Sequence, residues 1–172
     1  MDSVIQQINQ SIIKHSGQVD LVDPISRITD QLFLGQGRVT AHRHALTQLG
    51  ITHIVSVGRS PHSPVKHGSF ILYEIPRVED LNTNRLDLHF PAVFQFMREA
   101  LKCGGSIFVH CEMGLSRGAT VMIGFLRANG DSPSLQISYE TVKRIRPWIA
   151  PNAGFQDQLR HFFCEPLITE MK

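Results

Sequence analysis

In the run HCEMGLSR two residues, Cys111 and Arg117, bracket a five-residue stretch that holds a glycine and a serine. A cysteine thiolate is a strong nucleophile, and a guanidinium is a planar fork of donors that matches two phosphate oxygens at once. The backbone NH groups of Glu112, Met113, Gly114, Leu115, Ser116 and Arg117 can point inward between them. With the positive end of a helix dipole behind, they make a seat for an anion and stabilise the thiolate at its base. Gly114 stands mid-loop, where a side chain would block the turn or the ligand. Together these groups suit nucleophilic attack on a phosphate ester. A bare Cys-x5-Arg spacing would be weak support, since a buried structural cysteine shortly before an arginine is common; the surrounding elements decide its meaning.

Those elements are readable. The segment 106–126, SIFVHCEMGLSRGATVMIGFL, predicts a buried strand over 107–110, a short loop, and a helix opening near Arg117. Upstream, residues 3–15 carry Val4, Ile5, Ile8, Ile12 and Ile13 at helical spacing, an amphipathic helix that covers core or shapes an entrance or a dimer contact. Residues 16–26 read as an extended connection, 27–34 as two short strands joined by a turn, 39–49 as a helix, 51–57 and 69–75 as strands, and 58–68 as a loop between them. Strands alternating with helices predict an α/β fold, a central, mainly parallel twisted sheet flanked by helices. In such sheets ligands sit beyond the carboxyl ends of the strands, where the Cys111 loop falls. The polar stretch 76–90 leads into a helix over 86–102, and cleavage of a phosphoester needs a carboxylic acid there to protonate the leaving oxygen. Glu79, Asp80 and Asp87 are the candidates that the residues alone leave open. A helix over 134–144, with Leu135, Ile137, Tyr139 and Val142 facing the core, ends in Lys143, Arg144 and Arg146, read as a solvated helix end favoured by the dipole. The alternative for that cluster is to receive a second acidic group of the substrate.

Length and composition bound the rest. A chain of 172 residues predicts one folding unit with a real core, and a net charge of +2 argues against a nucleic-acid-coating protein. Cys103, Cys111 and Cys164 are too few and too scattered for a disulfide framework, and a thiolate nucleophile needs a reducing compartment, so cytosol or nucleus is expected. No leader, membrane span or lipidation site is expected, the longest apolar run being 119–126. Nine histidines invite a metal, but His42 and His44 at i and i+2 do not share a helix face, and no metal or cofactor is expected.

His110, Cys111, Gly114, Ser116 and Arg117 match the signature His-Cys-x-x-Gly-x-Ser-Arg, and the chain resembles the cysteine-based protein phosphatases, dual-specificity branch. A separate stretch, RPWIAPNAGFQDQL over 146–159, resembles that family's Arg-Pro-x-x-x-Pro-Asn-x-Gly-Phe-x-x-Gln-Leu segment, with Asn152 suited to cap the last helix. The resemblance implies a catalytic domain over 27–163, preceded by an N-terminal helix and connection over 1–26 and followed by a tail over 164–172. It implies Cys111 as nucleophile, Arg117 as phosphate clamp, Asp80 as general acid, residues 112–117 as the phosphate cradle, and His110, Gly118 and Asn152 in support. Glu112, Met113 and Leu115 at the variable loop positions favour a phosphorylated protein side chain over a polyanion; nucleic-acid and membrane partners are not expected, and oligomeric state is not readable. One residue departs from the pattern. The family has Ser or Thr after the signature arginine, donating to the cysteine sulfur, and here Gly118 stands. Losing that donor makes the sulfur a poorer leaving group and predicts slow breakdown of a phosphocysteine; the alternative is a phosphoprotein-binding pseudophosphatase. A rhodanese-like sulfur carrier also uses a cysteine-headed loop but has no use for Asp80 or the Asn152 segment.

Overall fold

The computed structural model describes residues 3–16, 22–58 and 70–165. Much of the connection 16–26, most of the loop 58–68 and the tail beyond Glu165 lie outside them. Five strands form one sheet: β1 (Ile25–Arg27), β2 (Leu32–Gln36), β3 (His53–Val57), β4 (Ile71–Ile75) and β5 (Ile107–Cys111). Their spatial order is β1-β2-β5-β3-β4; β1 runs antiparallel to β2, and every other neighbouring pair is parallel. Among the described residues six α-helices accompany it: α1 (Ser3–Ser16), α2 (Arg43–Gln48), α3 (Phe90–Lys102), α4 (Arg117–Ala128), α5 (Leu135–Ile145) and α6 (Ala153–Phe163). The expected helix over 39–49 divides into a 3₁₀ turn, Gly37–Ala41, and α2, with His42 at the junction. The helix expected from 86 likewise opens as a 3₁₀ turn, Asp87–His89, before α3, whose first turn accommodates Pro91.

The two-residue side-chain period of a strand divides the core between the faces of the sheet. Leu32 and Leu34, Val55 and Val57, and Ile107, Val109 and Cys111 face α3, α4, α5 and α6, meeting Val93, Phe94, Val121, Phe125, Val142 and Leu159. The alternate residues Phe33, Ile54 and Phe108 face α1 and α2, where Ile5, Ile8, Ile12 and Leu46 cover them. A fully buried side chain of this size contributes roughly 1.5–3 kcal/mol relative to exposure. The α1 stripe is Ile5, Ile8 and Ile12, while Val4 is exposed. Asn9 fastens this helix to the sheet: its amide donates to Ile25 O at 2.9 Å and its Oδ1 accepts from Ile25 N at 3.0 Å, occupying polar groups on the edge strand β1.

In α5 the buried positions are Leu135, Ser138, Tyr139 and Val142, at i, i+3, i+4 and i+7. Ile137 falls off that face and is exposed, contrary to its expected core position. Ser134 caps α5, accepting from Ile137 N at 3.3 Å, and Asn152 caps α6, accepting from Phe155 N at 3.0 Å.

Candidate active site

Strand β5 ends at Cys111, and the next six residues form a loop at the carboxyl edge of the sheet before α4 begins. Each carbonyl from Glu112 to Ser116 is held from outside the loop. Gly37 N donates to Glu112 O at 3.0 Å, Arg146 Nη2 to Met113 O at 3.1 Å, Arg146 Nε to Gly114 O at 2.9 Å, Ala150 N to Leu115 O at 2.9 Å, and Thr120 N to Ser116 O at 2.8 Å. A planar trans peptide puts its NH opposite its carbonyl, so tying the carbonyls outward turns the NH groups of residues 113–117 toward the interior of the loop. Gly114 N donates to Cys111 Sγ at 3.2 Å. Gly114 itself has φ +66°, and a Cβ there would lie 2.3 Å from Gly35 O on β2, so both conformation and approach demand glycine.

Arg146 corrects the sequence reading. Its side chain is fully buried beneath the loop, not solvated at a helix end, and also donates from Nη1 to Asp23 O at 2.8 Å and Ser26 Oγ at 3.1 Å. Burial lowers its pKa to about 10, opposed by the negative charge available on Cys111 and Asp23, so it stays cationic at neutral pH. Lys143 of the same cluster donates to Ile149 O at 2.8 Å, and Arg144 is exposed.

Arg117 opens α4 and is 8% exposed. Its Nη1 donates to Val78 O at 3.2 Å, its Nη2 lies 3.8 Å from Glu112 Oε2, and its Nε is buried with no hydrogen-bond partner among the described residues. Gly58, at the carboxyl end of β3, makes room for it: a Cβ there would lie 2.3 Å from Arg117 Nη1, and φ is +77°. Sequence reasoning missed Gly58 as a site residue. A glycine where ligands approach a parallel strand was the available signal.

Of the three carboxylate candidates, the structure brings Asp80 to the loop. Its Oδ1 accepts from Ser116 Oγ and from Asn152 Nδ2, both at 2.7 Å. Asp87 is instead held by Arg85, with contacts of 2.6 and 2.8 Å, and Glu79 projects into solvent. Ser116 also accepts from Asn152 N at 3.1 Å, and with its hydroxyl so engaged it makes no side-chain cap to α4, whose leading NH groups stay directed at the loop. Cys111 is 2% exposed at the floor. His110, pointing to the opposite sheet face, is fully buried and stacked on Phe108; desolvation lowers its pKa to about 4, partly offset by its contact with Cys111 O at 3.4 Å. That carbonyl can only accept, so Nδ1 carries the proton. Gly118 packs against the start of the loop, where a Cβ would meet Leu34 Cδ1 at 3.2 Å and Cys111 N at 3.3 Å. An open cleft of about 840 Å³ leads from Arg117 and Asp80 past Glu112, Glu79 and Glu74.

A strand that delivers cysteine into an anion-facing loop closed by a buried arginine, on this sheet order, defines the cysteine-based tyrosine phosphatase superfamily. Within it the class is narrower: residues 32–164 match the model of the dual specificity phosphatase catalytic domain, and the chain belongs to that family. Among similar proteins, dual specificity protein phosphatase 1 of Arabidopsis thaliana is 33% identical over 135 residues, covering 78% of this chain and 67% of that protein. Dual specificity protein phosphatase 22-A of Danio rerio is 32% identical over 138 residues, 80% of this chain and 64% of that protein, so the chain spans about two thirds of these relatives' length. The crystal structure of human DUSP28 superposes with a TM-score of 0.77 at 30% identity, covering 84% of this chain and 96% of that one.

Proposed function

We propose that this chain hydrolyses phosphotyrosine, and phosphoserine or phosphothreonine, on proteins through a phosphocysteine intermediate, its catalytic unit being residues 27–163. The observation that carries the reading is the buried Arg117 Nε, with no hydrogen-bond partner among the described residues, beside a loop whose carbonyls are all tied outward. Such an arrangement is complementary to an anion. In the first step the Cys111 thiolate attacks phosphorus in line; the NH groups of residues 113–117 and the Arg117 fork hold the equatorial oxygens, and Asp80 gives its proton to the departing oxygen. In the second, water loses a proton to Asp80, attacks the phosphocysteine and releases inorganic phosphate with return of the thiolate. His110, Gly118 and Asn152 act in support, Asn152 by holding Asp80 and His110 by holding the Cys111 carbonyl. A thiolate nucleophile suits the reducing cytosol or nucleus.

Gly118 leaves the sulfur without the hydroxyl donor usual at that position, so the second step is the slow one. A second reading, capture of phosphoproteins with little turnover, rests on the same residue. Rapid mixing with excess aryl phosphate tests both, using wild type, Cys111→Ser and Gly118→Ser. The serine Cβ needs both Leu34 and the Cys111 backbone to yield by a few tenths of an ångström, so a circular-dichroism melt of Gly118→Ser accompanies the kinetics. A stoichiometric burst with a slow steady phase, lost in Cys111→Ser and accelerated in Gly118→Ser, is the expected result. Absence of both burst and turnover, with phosphopeptide still bound, would replace catalysis by capture.

A further inference from the structure

Among the described residues, the cleft that opens beside Arg117, Asp80 and Glu112 is acidic beyond what the chemistry uses. Four carboxylates of the described residues, Glu74, Glu79, Asp80 and Glu112, line it against two arginines of the same set, Arg77 and Arg117. Asp80 is engaged by Ser116 and Asn152, and the mechanism proposed above assigns Arg117 to the phosphate. That leaves Glu74, Glu79 and Glu112 facing Arg77. Among the described residues Glu74 and Glu79 have no ion-pair partner, and Glu112 has Arg117 alone, at 3.8 Å with its own side chain 51% exposed.

Occupancy makes the imbalance worse. A phosphate dianion on Arg117 removes the one cation that Glu112 has and puts like charge beside it, which is unfavourable unless the ligand brings a cation of its own. The buried Nε of Arg117, with no hydrogen-bond partner among the described residues, points independently to an anion, so a free cation is not the complement of the cleft. The matching ligand carries a phosphate and, a few ångströms away, positive charge.

We propose, resting on the phosphatase reading above, that this cleft selects phosphorylated residues flanked by lysine or arginine, and that Glu79 and Glu112 make the selection. Glu112 acts at two places: it shields Arg117 from phosphates that arrive without a cation, and it receives the cation of those that arrive with one. Glu79, exposed on the Asp80 loop, extends the acidic surface along the bound peptide.

The test uses the full chain and phosphotyrosine peptides identical except for their flanks, with lysine or arginine on both sides, alanine, or aspartate and glutamate. The expected order of kcat/KM is basic, then neutral, then acidic, with about tenfold between the ends at low ionic strength and less as salt screens it. In the Glu79→Gln/Glu112→Gln variant that ratio falls to about twofold. Glu112→Gln shifts KM in opposite directions, down for a plain aryl phosphate and up for the basic peptide, which loss of structure alone does not produce. Equal or reversed rates on the wild type, or an undiminished ratio in the double variant, overturns the proposal. Should wild type turn over none of the peptides, the phosphatase reading fails by itself; anisotropy binding of labelled peptides to Cys111→Ser then decides selection, with basic before acidic sustaining it and no order overturning it.

Discussion

The Ser116 hydroxyl donates to Asp80 Oδ1 at 2.7 Å across 36 positions of the chain. Through this contact the floor of the anion loop holds the carboxylate on the loop before α3, while Asn152, ahead of α6, braces the same oxygen. Three separate segments thus fix where the Asp80 carboxylate sits.

That geometry makes proton delivery separable from nucleophilic attack. Asp80→Asn should lower kcat/KM, which reports the first step alone, by about 10²–10⁴-fold for alkyl phosphates and far less for nitrophenyl phosphate, whose leaving group needs no proton. Ser116→Ala and Asn152→Ala should show the same dependence on leaving group in weaker form. Equal losses across a series of leaving groups would remove Asp80 from the role.

Arg146 holds two loop carbonyls from below, and Arg146→Met leaves the buried Gly114 O and the part-buried Met113 O and Asp23 O without their donor. A loss of about 3–5 kcal/mol in unfolding free energy is expected from urea titration. Arg146→Lys keeps the charge but not the fork, and should retain most stability while losing phosphate affinity. Unchanged product inhibition by phosphate in the lysine variant would dissociate Arg146 from the shape of the loop.

Gly58→Ala should damage the site without unfolding the chain. The new methyl carbon meets Arg117 Nη1 and Val78 O at 2.3 and 2.4 Å, and a left-handed conformation adds about 1–2 kcal/mol of strain for alanine. With the guanidinium displaced, KM should rise at least about tenfold, since one bidentate charged contact is lost. A KM equal to wild type would mean that Arg117 tolerates another rotamer.

His110 predicts an acid limit to stability. The folded protein protonates this imidazole near pH 4, the unfolded chain near 6.5, so between these values the unfolded state binds more protons and stability falls as pH falls. The loss across the window is roughly 3 kcal/mol at most. In His110→Gln the urea midpoint should depend less steeply on pH between 6.5 and 4; parallel slopes would assign the acid sensitivity elsewhere.

The strand, loop and helix around Cys111 were legible because every relationship in them is local: apolar alternation, a glycine, an arginine a fixed distance on. The α/β order followed from the same periodicities. What stayed hidden depends on packing between distant segments. Nothing near Arg146 in the chain signals that Gly114, 32 positions earlier, will be its acceptor. A basic cluster after a helix looks solvated until the loop is laid over it. Ile137 lies off the core face for a simpler reason: i, i+3, i+4 and i+7 from Leu135 gives Ser138, Tyr139 and Val142, so a polar serine holds the stripe position next to the apolar Ile137. Asp80 became distinct from Glu79 and Asp87 in space only once Ser116 and Asn152 had been brought to it.

The five tethered carbonyls also have a calorimetric meaning. Ordering a backbone residue costs on the order of 1–2 kcal/mol in lost conformational freedom, and here that loss for the loop is incurred when the chain folds, before any anion arrives. On the proposed function, phosphate capture should then be close to the docking of a rigid ion into a finished shape, with little heat-capacity change and an entropy dominated by released water. Its affinity is set by charge and desolvation rather than by loop closure.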